Sequence, residues 1–201
     1  RKTYPNRTTL NWDADLSYGF RNSDINGTIG VQRKYNPFNK GMFGIKAGRN
    51  FEFIYAGDAW VNVLKRSNIF LNNSLELNHE IELFNGVTIM NTFEVALRRS
   101  VADYKVGNNA DSLFGIANDP PVEFDPYNAT YNQVKLYFTP RMRYIREPKE
   151  KIHLGSRWPT FYVIWKKGIK GLLKSEIDFD YLEFGVEQNI NFGVMGNTRY
   201  N

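Results

Sequence analysis

The sequence predicts an all-β chain, an antiparallel meander of about eight long strands that forms part of a barrel wall. Three observations predict it. Apolar and polar residues alternate with a period of two over long runs, which sends successive side chains to opposite faces of a strand. Clusters of Gly, Asn, Asp and Pro separate those runs, foremost Phe84-Asn85-Gly86 between two of them. No run keeps a convincing helical period.

The first strand is Thr9–Phe20, with Leu10, Trp12, Ala14, Leu16, Tyr18 and Phe20 on one face and Asn11, Asp13, Asp15, Ser17 and Gly19 on the other. A polar turn leads into Gly27–Tyr35, where Ile29 and Val31 continue an apolar face. The turn formers Asn36 to Gly41 follow, and then Met42–Tyr55. Here Phe43, Ile45, Ala47, Phe51, Phe53 and Tyr55 oppose Lys46, Asn50 and Glu52, with Arg49 an unexplained break in the apolar set. Ala56–Leu71 loses the alternation and has room for a helical turn around Trp60–Leu64.

Ser74–Leu83 and Val87–Arg98 read as one hairpin. A three-residue loop, Phe84 to Gly86, pairs Leu83 with Val87, Ile81 with Ile89, Leu77 with Phe93 and Leu75 with Val95. A two-residue loop would set unlike residues opposite one another, so the pattern selects the longer loop, with Gly86 left-handed. This register sets His79 opposite Asn91 on an otherwise apolar face, as a mutual hydrogen bond or as a place where the wall touches protein.

Ala102–Thr130 reads as a long connection. Tyr131–Tyr144 is the next strand, with Val134, Leu136, Phe138 and Met142 opposed to Gln133, Lys135, Thr139, Arg141 and Arg143. A basic loop over Ile145–Arg157, a shorter strand over Trp158–Lys167 and a last run over Ser175–Val194 complete the chain. The last run slips phase near Tyr181-Leu182, where a β-bulge would restore one face.

Composition narrows the function. The chain has 201 residues, no cysteine and a net charge of +5. Without cysteine there is neither a disulfide nor a thiolate metal site. No apolar window is long enough for a transmembrane helix, and a mean hydropathy of -0.50 still suits a membrane barrel, whose lumen face is polar. The chain begins at Arg1 without a signal peptide, as a mature or excised piece would. About ten basic residues crowd Arg141–Lys174 against Glu147 and Glu150, a balance that suits phosphate-bearing partners.

Alternation alone fits both a soluble cup and a membrane wall. Three features favour the membrane. The strands are about twice the usual five or six residues, and near the 9–11 of a tilted membrane strand. The polar face is heavily charged, with Asp13, Glu76, Glu94, Lys135, Arg141, Arg143 and Asp178 as a lumen charge network, which a small dry interior would not hold. Aromatic residues (Trp12, Tyr18, Phe20, Tyr55, Trp165, Phe192) end the apolar faces, as interfacial girdles do. Arg146, Lys149, Lys151 and Arg157 are candidate contacts to lipid or a partner, and His79 and Asn91 candidate protein contacts on the outer face.

Catalytic and metal readings find little. Asp13 and Asp15 resemble a carboxylate pair, but acids recur on that face. Asp103, Asp111, Asp119, Glu123 and Asp125 match no calcium loop, and His79 and His153 are too isolated for zinc. No nucleophile elbow, P-loop or dinucleotide fingerprint occurs, so no enzyme and no cofactor is expected.

The block Leu136–Gly171 resembles one recurrent in a group of outer-membrane proteins of Bacteroidetes-type bacteria. The matching positions are Phe138, Pro140, Tyr144, Arg146, Pro148, Lys151, Gly155, Ser156, Pro159, Thr160, Phe161, Gly168, Ile169 and Gly171, and Asn68–Arg99 is similar too. That group joins a carboxypeptidase-regulatory-like domain to a large domain of unknown function, and looks distantly related to BamA-type insertases. The V-R-G-F/Y loop motif of those insertases is missing from these residues, so insertase activity does not carry over. The regulatory-like module is not among them either. The resemblance implies a non-enzymatic wall segment in the bacterial cell outer membrane, within a larger barrel. Its expected role is an accessory or structural subunit in envelope protein assembly, export or transport; a pore for small solutes and a soluble lipocalin-like barrel are the alternatives. Expected partners are outer-membrane lipid or lipopolysaccharide and other outer-membrane proteins, and no nucleic acid.

Overall fold

Long alternating runs pair most cheaply with their neighbours in sequence, because a tight turn closes an antiparallel pair at little entropic cost. The computed structural model of the protein follows this rule. It describes residues 1–19, 24–54, 68–102, 121–191 and 197–200, with the backbone alone from residue 189 onward. The main sheet contains β1 (Lys2–Thr3), β2 (Thr9–Gly19), β3 (Asp24–Asn36), β4 (Gly41–Phe53), β5 (Ile69–Phe84), β6 (Val87–Arg99), β7 (Tyr127–Phe138), β10 (Thr160–Gly168), β11 (Phe179–Asn191) and β12 (Asn197–Tyr200). They are hydrogen-bonded in that order, all antiparallel. The one departure from the meander is a separate hairpin of β8 (Arg143–Arg146) and β9 (Lys151–Gly155), inserted between β7 and β10.

The eight expected strands correspond to β2 through β7, β10 and β11. The sheet they form is open: β1 and β12 are its edges, and β2 and β11 do not pair with each other. β1 covers β2 only at Thr9 and Leu10, and β12 covers β11 only from Gln188 to Asn191.

Several expectations are corrected. The central hairpin has the expected register from Leu71↔Arg99 to Glu82↔Thr88, but the turn pairs Phe84 with Val87 and a bulge takes up Leu83. Gly86 has φ of 83°, as the turn requires. Strand Tyr131–Tyr144 ends early, at Phe138, because Pro140 has no N–H to donate to the ladder. Arg141 is therefore in a turn, at φ of 49°, and Met142 lies outside any strand. Tyr127–Thr130 and Ile69–Leu71 belong to strands, not connections. The basic loop Ile145–Arg157 contains most of the β8–β9 hairpin.

β10 and β11 pair without a shift from Thr160↔Glu187 to Gly168↔Phe179, so no bulge occurs at Tyr181-Leu182. Phe179 and Tyr181 simply face the polar side. There the Tyr181 hydroxyl donates to Glu183 at 2.7 Å, and the Phe179 ring covers Gly168. Asp180 consequently lies on the apolar side, bound to Lys167 at 2.9 Å and to the Trp165 indole at 3.2 Å. The helical turn around Trp60–Leu64, the girdle residues Phe20, Tyr55 and Phe192, and the acids Asp103, Asp111 and Asp119 lie outside the described residues.

The register joins the apolar positions into one face. One row runs Trp12, Val31, Ile45, Leu77, Phe93, and another Ile81, Ile89, Leu136, Val163, Phe184. The apolar band is slanted across these rows. Its centre lies at Ala14 on β2, level with Val95 on β6, and at Phe184 on β11, level with Ile89 on β6. Six residues of offset accumulate over seven interstrand steps. At a rise of about 3.3 Å per residue and a strand spacing of about 4.8 Å, the strands are tilted by about 30° from the perpendicular to the band.

Candidate functional site: the charged face and the hairpin that covers it

The opposite face holds the charges. Asp13 and Asp15 are exposed on β2, and the Thr28 hydroxyl donates to Asp15. Next come Lys46 on β4, Glu76 on β5 and Glu94 on β6, directly opposite one another in that order. Like charges facing across strands repel, so the Glu76–Glu94 step needs compensation. The amides and hydroxyls around it supply it. Asn78 Nδ2 donates to Glu76 Oε1 at 2.6 Å, and Asn72 Nδ2 donates to Glu52 at 2.7 Å and to Glu94 at 3.3 Å. The Tyr131 hydroxyl donates to the other Glu94 oxygen, and Lys166 Nζ sits 3.8 Å from the centre of the Tyr131 ring. Asn72 and Glu94 are buried in this cluster. Lys135 shares the face, between Met90 and Ile164. Toward β11 the face becomes aromatic, where Tyr162 and Tyr181 both donate to Glu183 and the Tyr162 ring lies over Gly185.

At one end the β8–β9 hairpin crosses this charged face, and Glu82 is its anchor. Glu82 is the last inward residue of β5, and its side chain is 2% exposed. Its Oε2 accepts from Lys151 Nζ at 2.7 Å; Oε1 accepts from the Gly86 N–H at 3.1 Å and lies 2.9 Å from His153 Nε2. Its own N–H donates to the Asn39 carbonyl at 2.7 Å. One residue thus joins the β3–β4 turn through its N–H, and the β5–β6 turn and the hairpin through its carboxylate. Further contacts hold the same junction. Thr139 N–H donates to Gly86 O at 2.7 Å, Asn85 Nδ2 to Met142 O at 2.7 Å, and Ser156 Oγ to Pro140 O at 2.6 Å. A Cβ on Gly86 would run into the Thr139 carbonyl oxygen. The hairpin tip reaches further, with Arg146 over the Phe38 ring at 5.6 Å and Glu150 paired to Arg7 at 3.3 Å.

These positions revise the expected roles. Lys151, a candidate contact to lipid or a partner, is paired with Glu82 and its side chain is 12% exposed. Arg143 lies opposite Gly155 in the hairpin and binds neither Glu94, whose partners are Asn72 and Tyr131, nor Asp178, which is exposed ahead of β11. Arg141 stacks over Trp158 at 5.5 Å instead of lining the sheet. Arg146, Lys149 and Arg157 are exposed. On the apolar face, His79 and Asn91 stand opposite each other as expected but do not bond each other: His79 Nε2 meets the Tyr35 hydroxyl at 2.7 Å, and Asn91 donates to Asn132 at 2.9 Å. Arg49, unexplained in the sequence, pairs with Asp24 at 2.6 Å. Among the described residues no group of three or more His, Cys, Asp or Glu side chains converges as a metal site.

A family model described as "Family of unknown function (DUF5686) C-terminal domain" matches residues 1–201. The chain belongs to that family. The DUF5686 match fits the large domain of unknown function expected from the Leu136–Gly171 block. No curated protein and no solved structure matches the chain. What this DUF5686 domain does must therefore be argued from the two faces of its sheet and from the hairpin.

Proposed function

We propose that the chain is a non-enzymatic segment of an outer-membrane β-barrel wall, within a larger barrel in the bacterial outer membrane. Its role is that of an accessory or structural subunit in envelope protein assembly, export or transport. The observation that carries the reading is the apolar face. Leu16 is 80% exposed, Trp12 70%, Phe184 70% and Ile29 62%, on one continuous surface spanning eight strands. Each such side chain left in water forgoes about 1.5–3 kcal/mol, so a face of this size needs an apolar medium or partner. The slanted band supports lipid as that medium. A wall whose strands tilt by about 35–45° keeps its belt level only if the belt drifts across the hydrogen-bond register.

The open sheet supports a larger barrel. Among the described residues, nothing pairs with the outer edge of β2 beyond Leu10 or with that of β11 from Phe179 to Glu187. In hydrocarbon every backbone N–H and C=O group on such an edge needs a partner, which further strands would provide. A soluble lipocalin-like cup would turn the apolar face inward around a ligand; the charged face, crossed by a hairpin, fits that arrangement poorly. The pore alternative is favoured by the exposed Asp13, Asp15 and Lys46 on the charged face. The test is heat modifiability of the full-length protein extracted from outer membranes: a folded barrel migrates faster in unboiled detergent gels than after boiling. Recovery in the soluble fraction, with no difference on boiling, would refute the reading.

A further inference from the structure

We propose that the β8–β9 hairpin is a gate across one mouth of the lumen, held shut by Glu82 through Lys151 and His153. The inference rests on the barrel-wall reading above and adds a moving part to it.

Three observations point to a gate. First, the hairpin is a separate two-stranded sheet with no ladder to the wall. Its attachment is a small set of contacts, not a run of strand pairing, so it can leave as a unit without breaking the barrel. Second, those contacts converge. The ion pair and the imidazole contact use one carboxylate, which the wall's own Gly86 N–H holds in place, so loss of Glu82 removes both and leaves the hairpin its peripheral contacts, among them Lys151 N–H to Pro37 O at 3.4 Å.

Third, the hairpin is two-faced. Lys151 and His153 reach Glu82 and Arg146 reaches Phe38 from one side, which also carries Tyr144, 47% exposed, by the pairs Tyr144↔His153 and Arg146↔Lys151. The other side carries Ile145, Ile152 and Leu154, which are 52%, 38% and 51% exposed. A permanent plug would bury such residues. A gate alternates between states, and an apolar outer side gives the displaced hairpin something to pack elsewhere. Closure suits the ends of the strap as well: it starts at the β7 end, is fastened at the β5–β6 turn and reaches Phe38 and Arg7 beyond it.

Among the described acids near the hairpin, Glu147 and Glu150 are its own, Glu150 is engaged by Arg7, and Glu187 lies with Gly155, Ser156 and Arg157 at its base. Opening therefore leaves Lys151 and His153 in water and Glu82 uncovered at the mouth, a state that solvent stabilises and lipid would not. That places the movement on the lumen side.

The experiment uses the full-length protein reconstituted into phosphatidylcholine–phosphatidylglycerol liposomes, with solute-driven swelling as the readout. Each preparation is first checked for heat modifiability. If the wild type shows none, the barrel reading fails by itself and the gate with it. With a folded wild type, Lys151→Gln removes the hairpin's side of the pair and Glu82→Lys reverses the wall's side. The charge swap Glu82→Lys with Lys151→Glu restores a pair of opposite polarity. The gate predicts slow swelling for the wild type, several-fold faster swelling for Lys151→Gln and Glu82→Lys, and return toward wild type in the swap. Equal swelling in wild type and Lys151→Gln overturns the proposal. Faster swelling that the swap does not reverse overturns the assignment of this pair as the catch.

Discussion

At Glu82 a lysine ammonium and an imidazole meet a carboxylate almost sealed from water, while Lys167 and Asp180 form a pair of similar length in the open. The two should differ in what their loss costs. Removing one partner of a buried pair strands the other, at about 3–5 kcal/mol. An exposed pair is worth about 0–1 kcal/mol. Lys151→Gln should accordingly lower the unfolding midpoint, though by less than that cost where the released hairpin lets water reach Glu82, and Lys167→Gln should leave it nearly unchanged, in urea titrations followed by heat modifiability. Gly86→Ala should destabilise too. The left-handed backbone alone costs a side chain about 1–2 kcal/mol, and a clash with the Thr139 carbonyl adds to it.

The facing of residues was legible at this scale, and their bonding was not. Alternation and register put His79 beside Asn91 correctly, but each reached past its opposite number, to Tyr35 and Asn132. Long polar side chains choose among several neighbours within one sheet, and periodicity carries no information about that choice. Glu82 was legible as one more inward acid. That it is buried depends on a hairpin sixty residues further along the chain, which no local pattern announces.

Among the elements, the eight long strands were readable because each has enough alternating positions to fix its face and phase. β8 and β9 were not. With four and five residues respectively, and Pro148 in the turn between them, they read as a loop dense in charge. Pro140 also broke the run that had carried Arg141 and Arg143 into the wall. Arg143 therefore loses its expected lumenal partner. Arg143→Gln should change the unfolding free energy from urea titration by no more than about 0.5 kcal/mol, the usual range for a surface substitution. A large loss of stability would show that Arg143 does reach an acid of the wall. The missing bulge in β11 has a similar lesson. Phe179 and Tyr181 looked like members of the apolar face, but a phenol can serve the polar side by donating to a carboxylate, as Tyr181 does to Glu183.

For the whole molecule, sequence gave the class and order of strands, while closure depends on what pairs with β2 and β11. Sidedness follows from the connections. At the hairpin end β3 and β4 are joined by Pro37 to Lys40, β5 and β6 by Asn85-Gly86, and β7 and β10 by residues 139–159, which fold back as the β8–β9 hairpin. At the opposite end residues 20–23 separate β2 from β3 and 169–178 separate β10 from β11, while the longest stretches, 54–68 and 100–126, separate β4 from β5 and β6 from β7. Membrane barrels have short turns on the periplasmic side and longer loops outside. Labelling of intact cells by an impermeant maleimide should then reach Glu123→Cys, while Lys149→Cys should react only after the outer membrane is opened. The reverse order would invert the barrel.

The central claim is that the apolar face meets lipid and the charged face meets water. A chain without native cysteine makes this directly measurable. Glu94 is a poor reporter because Tyr131 and Asn72 cover it, so exposed inward positions serve better. Single cysteines at Asp13, Lys46, Leu16 and Leu75 in the full-length protein, kept in native membranes, are treated with a water-soluble maleimide and the labelled fraction is measured. The account predicts strong labelling of Asp13→Cys and Lys46→Cys and protection of Leu16→Cys and Leu75→Cys until detergent is added. Strong labelling at Leu16→Cys and Leu75→Cys in intact membranes would contradict it.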